Sequence, residues 1–212
     1  MRKLLYSNGS PYARRVRIVL LEKGLPFESD VLDAVRPVEN IRPHNPALQI
    51  PVLYDGERRL FGSNLILQYL FDRYPAAPQA EGIPLAPSVT RRERHWDDMQ
   101  ILAAIEAIAD SIVNVRLLSG LDPSKVPYLE RQLVRVASCL DWLEPQLSAE
   151  GFWPGTFSLM DINLLCPLLF GEKRGVFAFR GRQWPNVEAM IDRWQPRPSV
   201  AATPVGDLPP RS

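Results

Sequence analysis

The chain has 212 residues, 46% of them hydrophobic and 23% charged, with a formal net charge of +1. That length allows one large domain or two small ones, and the composition is ordinary for a globular protein. The balanced charge, with no basic patch interleaved with aromatics, excludes a general nucleic-acid binder, and no apolar run approaches the roughly 18 residues that span a bilayer. The first residues read as a short strand rather than a charged segment before a long apolar one, so no signal peptide and no membrane association are expected. Cys139 and Cys166 stand far apart without a C-x-x-C spacing, which fits a reduced, cytoplasmic setting. His44 and His95 are the only imidazoles and lack ligand spacing, so no metal is expected.

Taken in order, Leu4-Leu5-Tyr6 predicts a strand, and Val16, Ile18, Val19, Leu20 and Leu21 predict a helix ending at Gly24. Asn8-Gly9-Ser10 is then a strand-to-helix turn, with Ser10 at the N-cap and Pro11 at the first helical position. By itself this is a well-capped helix; a hydroxyl at a positive helix end is also a place to hold an anion. Phe27 to Leu32 alternates as a second strand, which makes a βαβ unit with parallel strands. An irregular, proline-bearing stretch follows to Leu48, with a short helix around Val38–Ile41. Ile50 to Tyr54, a turn at Asp55-Gly56, and Arg59 to Phe61 read as a hairpin, after which Gly62-Ser63 opens an amphipathic helix stopped by Pro75.

A small α/β domain therefore covers residues 1–76, a linker 77–88, and an all-helical domain with a proline-rich tail 89–212. In the latter, long helices are expected over Val89 to Leu118 and Ser124 to Leu147, then from Ser158 through Leu169 and over Val187 to Trp194. The tail from Pro196 is expected to be loose or draped over the surface. Ser158-Leu159-Met160-Asp161 has the form of a capping box, read here as a folding device. About one X–Pro bond in twenty is cis, so Ile50-Pro51 on its own reads as trans. Gly62-Ser63-Asn64 puts a second serine at a second helix N-terminus, read alone as an ordinary N-cap.

Together these features resemble the glutathione transferase superfamily, over nearly the whole chain. Ser10-Pro11-Tyr12 is similar to the motif of its serine-type classes, and Asn45-Pro46 with Gln49-Ile50-Pro51-Val52-Leu53 to its Asn-Pro and Ile-Pro-Val-Leu loop. Ser158-x-x-Asp161, Trp184-Pro185-Asn186-Val187 and Arg197-Pro198-Ser199-Val200 complete the order. The resemblance implies a thioredoxin-like N-terminal domain (βαβ-ββα, a four-stranded mixed sheet) with a cis-Pro at Pro51, an all-α C-terminal domain, and a cytoplasmic homodimer. It implies glutathione as co-substrate. Ser10 would donate its hydroxyl hydrogen to the glutathione sulfur, Ile50 beside Pro51 would pair with the cysteinyl backbone, and Ser63, with Asn64 at the same helix start, would hold the γ-glutamyl carboxylate. Gln49 would reach the glycyl end and Arg36 would add a cation. The partner would be a small hydrophobic electrophile, between the Ser10 turn and the first long helix, with Tyr12, Trp96, Met99, Gln100 and Ala103 as walls. At helical spacing most of these also read simply as core.

One position departs from the family. The residue before the second serine is usually Glu or Gln, the partner of the γ-glutamyl ammonium; here it is Gly62. Asp72 lies roughly 15 Å further along the helix, so a carboxylate from a second copy, Asp97 or Asp98, is the expected substitute. Two other readings accompany conjugation: another glutathione-dependent reaction such as isomerisation or dehalogenation, and a non-catalytic binding or scaffold protein on the same fold.

Overall fold

The computed structural model describes residues 1–32, 38–74, 82–118, 120 and 126–207. The chain divides into two compact units, Met1–Gln79 together with Pro198–Ser212, and Ala80–Arg197. In the first, β1 (Arg2–Tyr6), α1 (Pro11–Glu22) and β2 (Phe27–Val31) are followed by β3 (Val52–Asp55), β4 (Arg58–Phe61) and α2 (Ser63–Arg73). The strands lie in the order β2-β1-β3-β4, with β1 parallel to β2 and antiparallel to β3, and β3 antiparallel to β4. This is the expected four-stranded mixed sheet. A parallel pair cannot be joined by a tight turn, and α1 supplies the crossover. Leu4, Leu5, Val52 and Leu53 from the sheet, Val16 and Ile18 from α1, and Ile66, Leu67 and Leu70 from α2 form its core.

Of the two expectations for the C-terminal segment, loose or draped over the surface, the described residues 198–207 meet the second. Pro198–Ala201 form a short helix, α7, that packs against α1 within the first unit. Arg14, buried in α1, donates from Nε to the Thr203 carbonyl at 2.6 Å and from Nη2 to that of Val200 at 3.4 Å. The cation thereby ties the end of this short helix to α1, adding to the N–H and hydroxyl of Thr203 that the Val200 carbonyl also accepts. Ser199 donates its hydroxyl to Glu22, and the Gly206 N–H reaches the Asn8 carbonyl at 3.0 Å. Gly206 comes so close that a Cβ there would stand 2.5 Å from the Asn8 Cβ.

The second unit is helical: α3 (His95–Leu117), α4 (Pro127–Leu143), α5 (Leu159–Lys173) and α6 (Pro185–Trp194), with α3 packed on α4 and α5. The first of these starts later than the expected Val89. The Asp98 carboxylate accepts from the backbone N–H of Arg91 at 2.7 Å and from its Nε at 3.0 Å, folding the preceding residues back onto the first turn. At the start of α6 the Glu144 carboxylate accepts from the N–H groups of Asn186 and Val187, at 2.7 and 3.1 Å, as a cap supplied from another element.

The capping box is formed as expected. Ser158 Oγ accepts from the Asp161 N–H at 3.2 Å, and the Asp161 carboxylate accepts from the Ser158 N–H at 2.8 Å and hydroxyl at 2.7 Å. Its other oxygen takes the Phe152 N–H at 3.0 Å, and a Cβ on Gly151 would collide with that oxygen. Burial pushes the Asp161 carboxyl up to about 6, against hydrogen bonds that favour the anion. A folded-state value above the unfolded one gives stability that is present below the ordinary carboxyl range and lost as pH rises through about 6. Asp161→Asn removes this linkage along with one carboxylate oxygen, the acceptor of the two Ser158 donors if the amide keeps its oxygen on Phe152, so we expect it to destabilise by about 2–3 kcal/mol at neutral pH. The deficit should widen by up to about 3 kcal/mol as pH falls to 4 in urea titrations. A deficit that narrows on acidification would show that the hydrogen bonds, not burial, dominate.

Candidate functional site

Strand register brings three separated segments to one end of the sheet. Leu5 is opposite Val52, and Val52 opposite Phe61. The chain leaving β1 toward Ser10, the chain entering β3 through Ile50-Pro51, and the chain leaving β4 through Gly62-Ser63 therefore all lie beyond the same row.

The turn after β1 closes through the Ser10 N–H donating to the Ser7 carbonyl at 3.1 Å. Ser10 has extended φ and ψ and caps α1, its Oγ accepting from the Ala13 N–H at 3.2 Å, with Pro11 at the first helical position. Among the described residues the Ser10 hydroxyl donates to no group. Its hydrogen is available at the positive end of a twelve-residue helix.

The Ile50–Pro51 peptide is cis, as the family resemblance implied and contrary to the trans reading of the dipeptide on its own. The buried Asn45 fixes the approach: its Nδ2 donates to the Gln49 carbonyl at 2.7 Å and its Oδ1 accepts from the Ala47 N–H at 2.8 Å. The Gln49 side chain is exposed. Ile50 stands one residue outside the β3 ladder, and among the described residues its backbone N–H and carbonyl make no hydrogen bond. Arg36 lies outside the described residues.

At α2 the N-cap is Gly62, not Ser63. Gly62 has φ +83° and ψ +111°, a conformation in which an L side chain is strained. Ser63 is the first helical residue, and its Oγ accepts from Arg15 Nη2 at 2.6 Å. Arg15 is only 2% exposed and Ser63 7%. The Arg15 guanidinium also sits 5.1 Å from the centroid of the Tyr12 ring. Asn64 follows on the exposed side. The reading of the sequence did not single out Arg15; its signal was a cation four residues after Pro11 and three before Ile18, on the apolar face of α1.

The expected walls of an electrophile site lie on two elements. Tyr12, half-buried, is in α1; Trp96, Met99, Gln100 and Ala103 are in α3. At spacings of three and four these last form one stripe of the helix, and none is buried; Trp96 is 80% exposed. The core side of α3 is instead Ile101, Ile105, Ile108 and Ile112, so their reading as core side chains is corrected.

The expectation that Asp98 of a second copy meets an ammonium is also corrected. Asp98 is fully buried and gripped by Arg91 through the backbone N–H, Nε and Nη2. Asp97 is exposed and 3.3 Å from Arg94. We expect Asp98→Ala to destabilise by about 3–5 kcal/mol in urea unfolding, because it strands a largely buried guanidinium, whereas Asp97→Ala should cost less than about 1 kcal/mol.

Residues 4–78 match the family described as glutathione S-transferase, N-terminal domain. A stringent starvation protein A homolog of Pasteurella multocida is 38% identical over 187 residues, covering 86% of this chain and 80% of that one. Glutathione S-transferase F10 of Arabidopsis thaliana is 30% identical over 162 residues, covering 71% and 72%. Among solved structures, a glutathione S-transferase from Methylobacillus flagellatus with glutathione bound superposes with a TM-score of 0.78 at 29% identity, over 96% of this chain and 99% of that chain. With the N-terminal family match, the mixed-sheet and helical architecture shared with that structure, and relatives at 30% and 38% identity over more than two thirds of both chains, this chain belongs to the glutathione S-transferase superfamily.

Proposed function

We propose that this protein is a cytoplasmic, homodimeric glutathione transferase that conjugates the glutathione thiolate to small hydrophobic electrophiles, with Ser10 as the thiolate-stabilising residue. The observation that carries this reading is the convergence of the Ser10 turn, the Ile50–Pro51 segment and Ser63 beyond one row of the sheet. The glutathione bound in the Methylobacillus relative supports it. Glutathione would run from the α2 N-terminus, its γ-glutamyl carboxylate on Ser63 with Asn64 beside it, past the backbone of Ile50, which makes no hydrogen bond among the described residues, to a glycyl end at Gln49, with Arg36 proposed as a further cation. Its sulfur would meet the Ser10 hydroxyl. The residues proposed to meet the electrophile are Tyr12 on the first unit and, on the second, Trp96, Met99, Gln100 and Ala103.

The chemistry asked of Ser10 is electrostatic. An ordinary thiol has a pKa near 8.5, so only a few per cent is thiolate at neutral pH. A hydroxyl donor at a helix N-terminus favours the anion, and lowering the pKa by about two units takes about 2.7 kcal/mol. No histidine stands in the turn to make Ser10 a nucleophile. Thiol–disulfide exchange through the protein's own cysteines is disfavoured: Cys166 is buried in α5, and burial raises the Cys139 thiol in α4.

The second reading, a non-catalytic binding protein on this fold, is favoured by Gly62, which offers no carboxylate to the γ-glutamyl ammonium, and by a relative whose name states no glutathione chemistry. Calorimetry with glutathione, followed by conjugation to a chlorinated nitrobenzene, separates the two. We expect binding at or below millimolar concentration, and a loss of about 10–100-fold in kcat/KM for Ser10→Ala near neutral pH. Binding without turnover, unchanged in Ser10→Ala, would favour the binding protein. Because no acid stands at position 62, glutathione lacking its amino group should bind the wild type within about threefold of glutathione. Gly62→Glu should prefer intact glutathione by about tenfold or more, measured against Gly62→Ala to subtract the backbone strain.

A further inference from the structure

We propose that Arg15 is a positioning residue that sets the Ser63 hydroxyl as an outward donor and makes this end of the site selective for a carboxylate; the proposal rests on the assignment of Ser63 to the γ-glutamyl carboxylate. A serine hydroxyl has one hydrogen and two lone pairs. Arg15 Nη2, 2.6 Å away, occupies a lone pair, and a guanidinium has no acceptor with which to take the hydroxyl hydrogen. The hydrogen is left for another partner. A donor whose oxygen is itself held by a cation is polarised, and in a buried setting that polarisation is weakly screened.

The guanidinium is well suited to this. It is 2% exposed, and it rests 5.1 Å from the Tyr12 ring centroid, a contact that orients a planar cation where an ammonium would turn freely. Ser63 is the first residue of an eleven-residue helix whose N-cap, Gly62, makes no side-chain hydrogen bond to the first turn. The first-turn N–H groups, the helix dipole and the Arg15 charge therefore add with one sign, and Gly62 adds no acid to offset them. A carboxylate is the ligand group that this combination recognises. A purely structural tether between α1 and α2 would use the same hydrogen bond, but it would not discriminate between ligands.

Ligand discrimination is the test. Calorimetry on the full chain compares glutathione with γ-aminobutyryl-cysteinyl-glycine, which lacks only the γ-glutamyl carboxylate, in the wild type, Arg15→Gln, Arg15→Lys, Ser63→Ala and the Arg15→Gln/Ser63→Ala pair. Arg15→Gln should weaken glutathione by about tenfold and leave the decarboxylated analogue within about twofold. The double variant should bind glutathione no more weakly than Ser63→Ala alone, and Arg15→Lys should recover part of the loss. Equal weakening toward both ligands, or losses that multiply in the double variant, would overturn the proposal. Should Arg15→Gln fail to fold, Arg15→Lys decides: a loss confined to glutathione supports the role, and an equal loss on both ligands contradicts it. A wild type that binds glutathione and the analogue equally would remove the carboxylate role while leaving glutathione binding intact; one that binds neither removes the transferase reading itself.

Discussion

The row of paired residues Leu5, Val52 and Phe61 decides where three pieces of chain leave the sheet. Beyond this row, after Tyr6 in the case of β1, come three segments outside the ladders: the Ser7–Ser10 turn, the cis Ile50–Pro51 peptide, and the Gly62–Ser63 helix start. Val52 and Leu53 point to opposite faces of the sheet and both are buried, so a slip of one residue in either antiparallel ladder would exchange the side chains that fill the two buried faces. Core burial thus holds the register, and the register holds the site together.

Buried charges divide into two kinds in this chain. Asp98 and Asp161 each sit among several donors and close the start of a helix; their partners lie on neighbouring residues, and their work is local folding. Arg14 and Arg15 are adjacent in α1 but face different tasks. Arg14 holds the carbonyls of Val200 and Thr203, so the C-terminal segment stays on the first unit and its Gly206 N–H steadies the Asn8 carbonyl, two residues before Ser10. Arg15 reaches the first residue of α2. Successive helical side chains diverge by roughly 100°, which is how one dipeptide serves two sides of a helix.

Much of this was legible in the residues. Alternation and helical spacing placed the strands and the long helices, and Ser10-Pro11 and Ser158-x-x-Asp161 announced their caps through side-chain chemistry that acts within four residues. What escaped depends on distant partners. The late start of α3 follows from Arg91 folding onto Asp98, and the choice of a draped over a loose tail from Arg14, 189 residues before Thr203. Ser63 looked like an N-cap, but the positive φ of Gly62 moves the cap back by one residue and hands the hydroxyl to Arg15. The stripe from Trp96 to Ala103 mixed apolar and polar residues, and periodicity alone does not say which side of a helix faces the core.

The fold presents an available hydroxyl at one helix N-terminus and a cation-backed serine at another, at one end of one sheet; in the proposed function the first meets a thiol and the second a carboxylate. The claim on which that function turns is that Ser10 stabilises a thiolate. Ultraviolet difference titration of the thiolate of bound glutathione, in the wild type and in Ser10→Ala, measures this directly. The account predicts an apparent pKa about two units below the ordinary thiol value in the wild type and a return toward about 8.5 in the variant. The same pKa in both proteins would contradict it.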